Sequence, residues 1–239
     1  MIIIPARVES TRFEKKVLAD IGGLPMVIRT ANQVKDLDEV AIATDSSEVV
    51  EVAKKHGFKS VLTSSSHKSG TDRINEAATL LGLKNDDIII NLQADEPFIE
   101  KEVVQSVIER VKYLKKQKSD FVMVSCYNSI NEETAKDINL VKVITDINHN
   151  AIYFSRSIIP YNRGGGASYF GHIGIYAFDK KSLSLFCTLD DAPIEDIEKL
   201  EQLRAIYHNK SISMVKVSST SFGIDTKEDL EKAKRIFLT

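Results

Sequence analysis

The sequence predicts an α/β fold in which helices flank a mostly parallel open sheet, with a smaller antiparallel lobe. Over roughly the first half of the chain, short β-rich runs alternate with helical patterns, as in a series of βαβ units. After about residue 127, a hairpin-like pattern, a Gly-rich loop and a long strand candidate replace this alternation. We therefore predict one domain over residues 1–239, with an antiparallel lobe at about 127–178 within it.

The first half supplies the parallel part of the sheet. Crossover helices join its strands, and strands joined in this way lie parallel. Strands are predicted at Ile2–Ile4, Val40–Ala43, Ser60–Leu62, Ile88–Leu92 and Phe121–Cys126, and helices at Met26–Val34, Ser46–His56, Thr71–Leu81 and Glu102–Lys116.

Several of these helices carry local signals at their ends. Pro25 occupies a first-turn position, and Asp45 with Glu48 resembles a capping box. Gly57 follows the helix Ser46–His56 and Gly82 follows the helix Thr71–Leu81, at positions where a left-handed residue is expected.

The second half begins with the lobe and then returns to helices. The lobe contains a hairpin, a Gly-rich loop and a long strand that includes Gly171 and Gly174. Thr226 and Asp229 are the expected cap of the final helix. The predicted elements are strands Val141–Thr145, Ala151–Ser155 and Tyr169–Phe178, helices Ser182–Thr188 and Ile194–His208, strand Ile212–Val217 and a last helix from Asp225 to Phe237.

Composition excludes several classes of protein. Hydrophobic residues make up 43% of the 239, enough for a large core and too many for a disordered chain. The 32 Lys and Arg nearly balance the 34 Asp and Glu along the whole chain, so we expect no nucleic acid and no membrane as partner. No apolar run approaches the ~20 residues of a membrane span and no signal peptide is recognisable, so we expect a cytoplasmic protein.

The two cysteines give no sign of a zinc site or a disulfide. Cys126 and Cys187 lie in apolar runs, without CxxC spacing or a nearby histidine. We predict that both are buried thiols.

Polar segments follow four of the predicted parallel strands. Ligands bind beyond the carboxyl ends of the strands in open parallel sheets, so these segments are expected to meet at one edge. They are residues 5–16, Thr44 with Asp45, residues 69–73 and residues 93–97.

The first of these segments is suited to a polyphosphate. It carries Arg7, Arg12, Lys15 and Lys16, and the hydroxyls of its serine and threonine add hydrogen-bond donors. A solvated charged loop is the alternative. Neither a Walker A motif nor a dinucleotide-binding glycine motif occurs, so side-chain cations and a metal would have to hold any nucleotide.

Two aspartates are candidate magnesium ligands. Asp95 follows an apolar strand at the predicted binding edge, and Asp225 precedes the last helix. Mg²⁺ is held in proteins by one or two carboxylates together with substrate phosphates. For Asp225, an ordinary helix N-cap is the competing interpretation.

The lobe and the helix after it could hold an acidic, hydroxyl-rich ligand. Arg156, His172, Tyr176, Glu201 and Gln202 supply charge and hydrogen bonds. Each also has a structural interpretation: Tyr176 as a core aromatic, His172 as a satisfied strand histidine, and Glu201 with Arg204 as a surface pair.

Motifs in this order span the chain: Ile3–Arg7, Ser10–Arg12, Lys16, Ala43–Asp45, Ser69–Arg73, Asn91–Pro97, Tyr153–Arg156, Ile159–Pro160, His172–Tyr176, Leu200–Arg204 and Gly223–Thr226. Together they closely resemble the 3-deoxy-manno-octulosonate cytidylyltransferase family. The resemblance implies a nucleotide-diphospho-sugar transferase fold, a homodimer, and CTP and 3-deoxy-D-manno-octulosonate (Kdo) as substrates, with Mg²⁺ as cofactor, for lipopolysaccharide synthesis.

The resemblance also implies a role for individual residues. Arg12 and Lys16 would hold the CTP phosphates and, with Asp95, serve catalysis. Asp95 and Asp225 would bind Mg²⁺. Residues around the cytidine would be Ala6, Arg7, Ser69 and Arg73, and those facing the sugar acid would be Gln93, Arg156, His172, Tyr176, Glu201 and Gln202.

The chain departs from the family pattern at three places. Phe13, Glu14 and Lys15 replace a usual Leu-Pro-Gly before Lys16, so either lysine could meet the triphosphate, although Lys16 matches the family in spacing. Ala94 replaces a glycine beside Asp95, and Gly171 replaces an arginine in the lobe.

The expected reaction joins the anomeric 2-hydroxyl of Kdo to the α-phosphorus of CTP and releases pyrophosphate. The sequence offers no evident general base, so metal activation near Asp95 and Asp225 is the expected source of the nucleophile. The alternatives are an amino-substituted Kdo or a nonulosonic acid as acceptor, a nucleotide-sugar glycosyltransferase, and a non-catalytic CTP-sensing protein.

Overall fold

A computed structural model of the protein describes residues 1–8 and 13–238. The chain forms two compact units. The first contains Met1–Gln105 and the C-terminal segment from Ser219, and the second contains Ser106–Ser218.

In chain order, the first ten elements are β1 (Ile2–Ala6), β2 (Asp20–Ile21), β3 (Leu24–Pro25), α1 (Met26–Val34), β4 (Val40–Thr44), α2 (Ser47–Lys55), β5 (Lys59–Leu62), α3 (Gly70–Leu80), β6 (Ile88–Asn91) and α4 (Lys101–Lys116). A 3₁₀ turn, Lys16–Leu18, lies between β1 and β2. The remaining elements are β7 (Met123–Ile130), α5 (Glu132–Ala135), β8 (Lys142–Thr145), β9 (Ala151–Ser155), β10 (Tyr169–Asp179), α6 (Lys180–Cys187), α7 (Pro193–Glu198), α8 (Leu203–Tyr207), β11 (Ile212–Lys216) and α9 (Lys227–Phe237).

The first unit is built on four parallel strands in the order β6-β1-β4-β5. Every residue of β1 and β4 is buried, as expected for parallel strands covered on both faces. β2 and β3 form a small antiparallel ribbon that the sequence did not predict. The predicted βαβ order and the parallel sheet are confirmed.

The second unit is centred on β7. β11 pairs with it in parallel and β10 pairs with it antiparallel, with a break in register between Ile173 and Ala177 of β10. β8 and β9 form the predicted hairpin, and β8 also pairs with β10. The predicted antiparallel elements are therefore present, and the fold is α/β with a mostly parallel sheet and helices at its faces.

The buried Lys142 closes one end of this hairpin. Its side chain is fully buried, and its Nζ donates to the carbonyl oxygens of Asp137 (2.8 Å), Leu140 (2.7 Å) and Arg156 (2.5 Å). Burial lowers the pKa of Lys142 below its usual value. One ammonium group thus joins the loop between α5 and β8 to the residue that follows β9.

The structure confirms some of the predicted helix-end signals and contradicts others. Gly57 (φ +78°) and Gly82 (φ +73°) adopt the left-handed conformation expected after α2 and α3. The capping box of Asp45 and Glu48 is wrong, because Ser46 is the N-cap of α2 and the Asp45 carboxylate accepts a hydrogen bond from a buried arginine, Arg73. Pro25 precedes α1 as its N-cap and does not lie in its first turn.

The helix predicted at Ile194–His208 is two helices, α7 and α8, separated by Lys199 in a left-handed conformation (φ +54°). In a continuous helix, Glu195 and Arg204 would lie about 13 Å apart along the axis. The break brings them into a bidentate ion pair of 2.6 and 2.8 Å. Periodicity within a segment does not reveal such a contact.

Cys126 is buried, as predicted, whereas Cys187 is only partly buried, so that half of the prediction is wrong. Both are free thiols. Among the described residues, no helix combines the length and the apolar character that crossing a membrane would require.

Candidate active site

The centre of the candidate site is the ammonium group of Lys16. Its Nζ donates to Asp95 Oδ2 at 2.7 Å and to Asp225 Oδ1 at 3.0 Å. Lys16 begins the 3₁₀ turn after β1, Asp95 follows β6, and Asp225 precedes α9, so three distant parts of the chain meet here. The amide of Ile224 also donates to the carbonyl oxygen of Asp95 (2.9 Å), which fixes the two acidic segments against each other.

This ion pair is partly shielded from water. The Lys16 side chain is 12% exposed, against 28% for Asp95 and 47% for Asp225. Burial alone lowers the pKa of Lys16, but the two carboxylates outweigh that effect and raise the pKa above its usual value. Lys16 therefore carries a full positive charge.

Lys15 occupies a different environment. Its Nζ pairs with Glu48 at 2.7 Å, and both side chains are about half exposed. The backbone of Lys15 is left-handed (φ +49°), which turns the chain into the 3₁₀ helix and directs the next side chain to the carboxylates. Lys16, the residue with the family spacing, is the lysine at the acidic centre.

Negative charge exceeds positive charge at this centre. Burial, followed by the charges of Asp95, Glu100 and Asp225, raises the pKa of the partly buried Glu96 to about 8. Gly223 lies against the same carboxyl group: a Cβ there would be 3.3 Å from Glu96 Oε1. A site that already keeps an acid protonated has the electrostatics to accept a further cation.

The donor set fits magnesium in kind. Asp95 and Asp225 provide two hard carboxylate ligands, and Mg²⁺ commonly takes no more than two from the protein. In the described part of the chain, no group of three or more His, Cys, Asp and Glu is arranged as a metal site. With two protein carboxylates, Mg²⁺ would complete its coordination with water and with the phosphates of a bound substrate.

Asp225 is not a helix cap. The N-cap of α9 is Thr226, which forms a capping box with Asp229 as predicted. The competing structural interpretation of Asp225 is therefore wrong.

Residues predicted around the nucleotide lie at the ends of β1 and α3. Ala6 ends β1 and is buried, the following Arg7 is exposed, and Ser69 is the N-cap of α3, accepting from the amide of Asp72. Arg12 lies outside the described residues.

Arg73 differs from the other residues predicted around the nucleotide, because its guanidinium already forms hydrogen bonds with other groups of the protein. The residue is 3% exposed, and it donates to Asp45 (2.7 Å), to Thr63 Oγ1 (2.7 Å) and to the carbonyl of Ser64 (3.3 Å). Arg73 thus fixes the loop that leads to Ser69.

The residues predicted to face a sugar belong to both units. Gln93, in the first, donates to Asn91 Oδ1 (2.9 Å). In the second, Arg156 donates through Nε to the carbonyl of Glu198 (2.8 Å) and through Nη1 to that of Ile138 (3.1 Å).

His172 and Tyr176 lie on β10, with ring centroids 5.6 Å apart. Burial lowers the pKa of His172 to about 3 and raises that of Tyr176 above its usual value. Gln202 is buried at the start of α8, beside the partly buried Glu201. Arg204 forms its bidentate pair with Glu195, so the surface pair of Glu201 and Arg204 is not the arrangement found.

Sequence reasoning missed several residues that shape the site. Glu96 is not among the predicted site residues, although an acid directly after a metal-binding candidate at a strand end is a signal that points to it. Glu198 and Ser125 gave no signal, because only the tertiary structure brings them to Arg156 and His172.

Comparison with known proteins gives a consistent result. Residues 1–212 match the family described as cytidylyltransferase. A 3-deoxy-manno-octulosonate cytidylyltransferase from Nitratiruptor sp. is 54% identical over 238 residues, covering 99% of each chain. One of the same name from Helicobacter pylori is 51% identical, covering 99% of this chain and 97% of the relative.

Solved structures agree. CMP:2-keto-3-deoxy-manno-octonic acid synthetase complexed with CTP matches with a TM-score of 0.90 at 35% identity, covering 99% of this chain and 97% of that one. A 4-diphosphocytidyl-2C-methyl-D-erythritol synthase from Anaerococcus prevotii, 15% identical with a TM-score of 0.61, shares the fold. With its acidic centre, sheet topology and full-length relatives, the chain belongs to the cytidylyltransferase family, among the 3-deoxy-manno-octulosonate cytidylyltransferases.

Proposed function

We propose that the protein transfers CMP from CTP to the anomeric 2-hydroxyl of Kdo, giving CMP-Kdo and pyrophosphate for lipopolysaccharide synthesis. The observation that carries the proposal is the Lys16 ammonium between Asp95 and Asp225. The relatives indicate the substrates: CTP is bound in the similar solved structure, and the relatives are named for the manno-octulosonate.

The reaction forms one bond and breaks another. The 2-hydroxyl oxygen of the sugar attacks the α-phosphorus and loses its proton, while the bond from that phosphorus to the bridging oxygen breaks and pyrophosphate leaves. Catalysis of such a transfer is mainly positioning and stabilisation of charge. Lys16 supplies a fixed positive charge for the phosphates, and Arg12 is proposed to supply a second.

Asp95 and Asp225 would hold Mg²⁺, which when bound polarises phosphate oxygens and favours ionisation of the attacking hydroxyl. The support is that two carboxylates accept hydrogen bonds from one ammonium group, and that their negative charge helps to raise the pKa of the neighbouring Glu96. The carboxylates also orient Lys16, since its Nζ donates to both.

Around the cytidine, Ala6, Arg7 and Ser69 would make direct contacts. Arg73 would act by fixing the loop before Ser69, because its guanidinium is engaged with Asp45, Thr63 and Ser64. On the sugar side, Gln93, Arg156, His172, Tyr176, Glu201 and Gln202 would bind the acceptor.

We further propose a homodimer in which the antiparallel lobe takes part in both sugar binding and dimerisation. In support, large apolar side chains of this region are exposed, including Ile147 (93%), Tyr161 (84%) and Ile138 (68%). Sedimentation at micromolar concentration is expected to give twice the mass of the chain, and a monomer would contradict the dimer.

The test of the function is release of pyrophosphate from CTP with Mg²⁺ and a panel of acceptors. The panel contains Kdo, an amino-substituted Kdo, a nonulosonic acid and no acceptor. We expect turnover with Kdo at a kcat/KM well above that of the others. Preference for another sugar acid would reassign the acceptor, and CTP binding without turnover on any of them would overturn the enzyme assignment.

A further inference from the structure

Ser125, on β7, carries a buried hydroxyl that no step of the proposed reaction uses. Ser125 is fully buried, and its Oγ lies 2.9 Å from Nε2 of His172 and 2.8 Å from the carbonyl oxygen of Ile175. The carbonyl of Ile173 lies farther away, at 3.4 Å. The pairing of β10 with β7 changes register between Ile173 and Ala177, so Ile173 borders this break and Ile175 lies within it.

The positions of these atoms fix the hydrogens. A carbonyl oxygen can only accept, so an O···O separation of 2.8 Å between Ser125 and Ile175 requires the single hydroxyl proton to lie between them. Ser125 Oγ must then accept from its other neighbour. His172 is therefore protonated on Nε2 and donates that proton to Ser125.

The other ring nitrogen of His172 is consequently an acceptor. Burial lowers the pKa of His172 to about 3, so the ring is neutral near pH 7 and Nδ1 carries a lone pair. The side-chain hydrogen bond described for this ring is the one at Nε2, with Ser125. Phe154 packs edge-on against the ring at 4.9 Å, which holds its plane.

We propose that Ser125 is a positioning residue that locks His172 in the Nε2-protonated form, so that Nδ1 accepts a hydrogen bond from a hydroxyl of the bound sugar acid. This rests on the proposed function, in which His172 contacts the acceptor. A carboxylate or phosphate oxygen cannot be the partner of Nδ1, since both atoms are acceptors. The His172 subsite thus selects a hydroxyl, and the acidic group of the ligand must bind elsewhere.

Ser125 has a second effect through the same atom. By donating to the Ile175 carbonyl, it gives a side-chain partner to a backbone acceptor within the break in register. It therefore couples the state of the His172 ring to the irregular stretch of β10 that presents Tyr176.

The first test reads the tautomer directly, without any ligand. Nitrogen-15 spectra of imidazole-labelled protein are recorded at pH 7, and His172 is assigned by the signal that disappears in His172→Asn. We expect a pyrrole-type Nε2 and a pyridine-type Nδ1. A protonated Nδ1 or an imidazolium would overturn the proposal, even if the enzyme turns over Kdo.

The second test separates positioning from a structural role. Ser125→Ala is expected to raise KM for the sugar acid about tenfold and to leave KM for CTP unchanged, because only the acceptor meets His172. Ser125→Thr keeps the hydroxyl and should restore the single tautomer and most of the affinity. An equal loss for both substrates would mean that Ser125 only supports the strand, and no loss for either would mean that His172 does not depend on it.

Ser213→Ala is the matched control. Ser213 is a buried serine of the same unit, on β11, whose Oγ accepts from Arg110 at 3.0 Å. Its loss removes a partly buried side-chain hydrogen bond of the same unit in which no histidine side chain takes part. We expect it to leave the His172 spectrum and both KM values unchanged. If the chain shows no activity with Kdo, the spectra still decide the tautomer, so failure of the inference is distinguishable from failure of the proposed function.

Discussion

Two adjacent lysines, Lys15 and Lys16, have different surroundings and should differ in function. Lys16→Ala removes the charge that both carboxylates hold, so we expect a higher KM for CTP and a lower kcat. Lys15→Ala should do much less, because that lysine pairs with Glu48. Steady-state kinetics with Lys59→Ala, another exposed ion-paired lysine, as control would decide. The reverse ranking would contradict the assignment of Lys16 to the triphosphate.

Asp95 is expected to be essential for turnover and dispensable for folding. Asp95→Asn preserves size but removes a charge at the reacting phosphates, and loss of such a preorganised charge typically costs about 10²–10³ in kcat. The thermal midpoint of the ligand-free protein should match or slightly exceed that of the wild type, because relief of the charge crowding around Glu96 offsets loss of the ion pair with Lys16, which keeps Asp225 as a partner. Near-normal turnover at saturating Mg²⁺ would exclude Asp95 as a ligand.

Glu96 should make the ligand-free protein less stable as the pH rises. Its pKa is about 8 in the folded state and near 4.5 when unfolded, so between these values the unfolded state releases a proton that the folded state retains. The contribution is neutral below the lower value, and stability falls as pH approaches 8. We expect Glu96→Gln to raise the free energy of unfolding by at least about 1 kcal/mol at pH 8 and little at pH 4.5. Urea titrations at both pH values would measure this, and an equal gain at both would contradict it.

For single residues, the sequence predicts which side chains meet at the acidic centre. Lys16 and Asp95 follow strands of a parallel sheet, and the topology alone brings such residues to one edge. The sequence does not predict that Arg73 forms an ion pair with Asp45, or that Ser125 forms a hydrogen bond with His172. Both contacts join residues from separate elements, and side-chain hydrogen bonds of that kind leave no pattern along the chain.

Two adjacent residues at the start of α9, Asp225 and Thr226, have different roles. Thr226 caps the helix, whereas the carboxylate of Asp225 faces Lys16. Thr226→Ala should lower stability by about 1 kcal/mol with a modest effect on kcat. Asp225→Asn should lower kcat strongly and leave the thermal midpoint nearly unchanged. A stable Asp225→Asn protein with normal turnover would remove Asp225 from the metal site.

Periodicity predicts most elements to within a few residues, α1 at Met26–Val34 without error. It fails where a distant contact decides. The break at Lys199 allows Glu195 to form an ion pair with Arg204. Asp45 does not cap α2 as expected, because its carboxylate binds Arg73. In both cases a buried guanidinium has to be neutralised, which outweighs the helical preference of the segment.

For the whole molecule, the decisive property is the choice of nucleotide. If the groups at the ends of β1 and α3 read the edge of cytosine, a purine would leave buried polar groups unpaired and would not fit. We therefore expect kcat/KM for CTP to exceed that for ATP or GTP by orders of magnitude. Pyrophosphate release with each nucleotide at equal Mg²⁺ measures the ratio, and equal rates with ATP would contradict a cytidylyltransferase.

Chemical modification of the buried Lys142 amine would report on opening of the lobe. Amine-reactive reagents attack only an exposed, neutral amine, and this one is enclosed and engaged by three carbonyls. Lys142 can therefore be acylated only after the β8–β9 hairpin has separated from its surroundings. The rate of acylation then measures how often the hairpin opens. Because a fully buried amine has no other route to the reagent, a mass shift on this one lysine would mark each molecule whose lobe has opened.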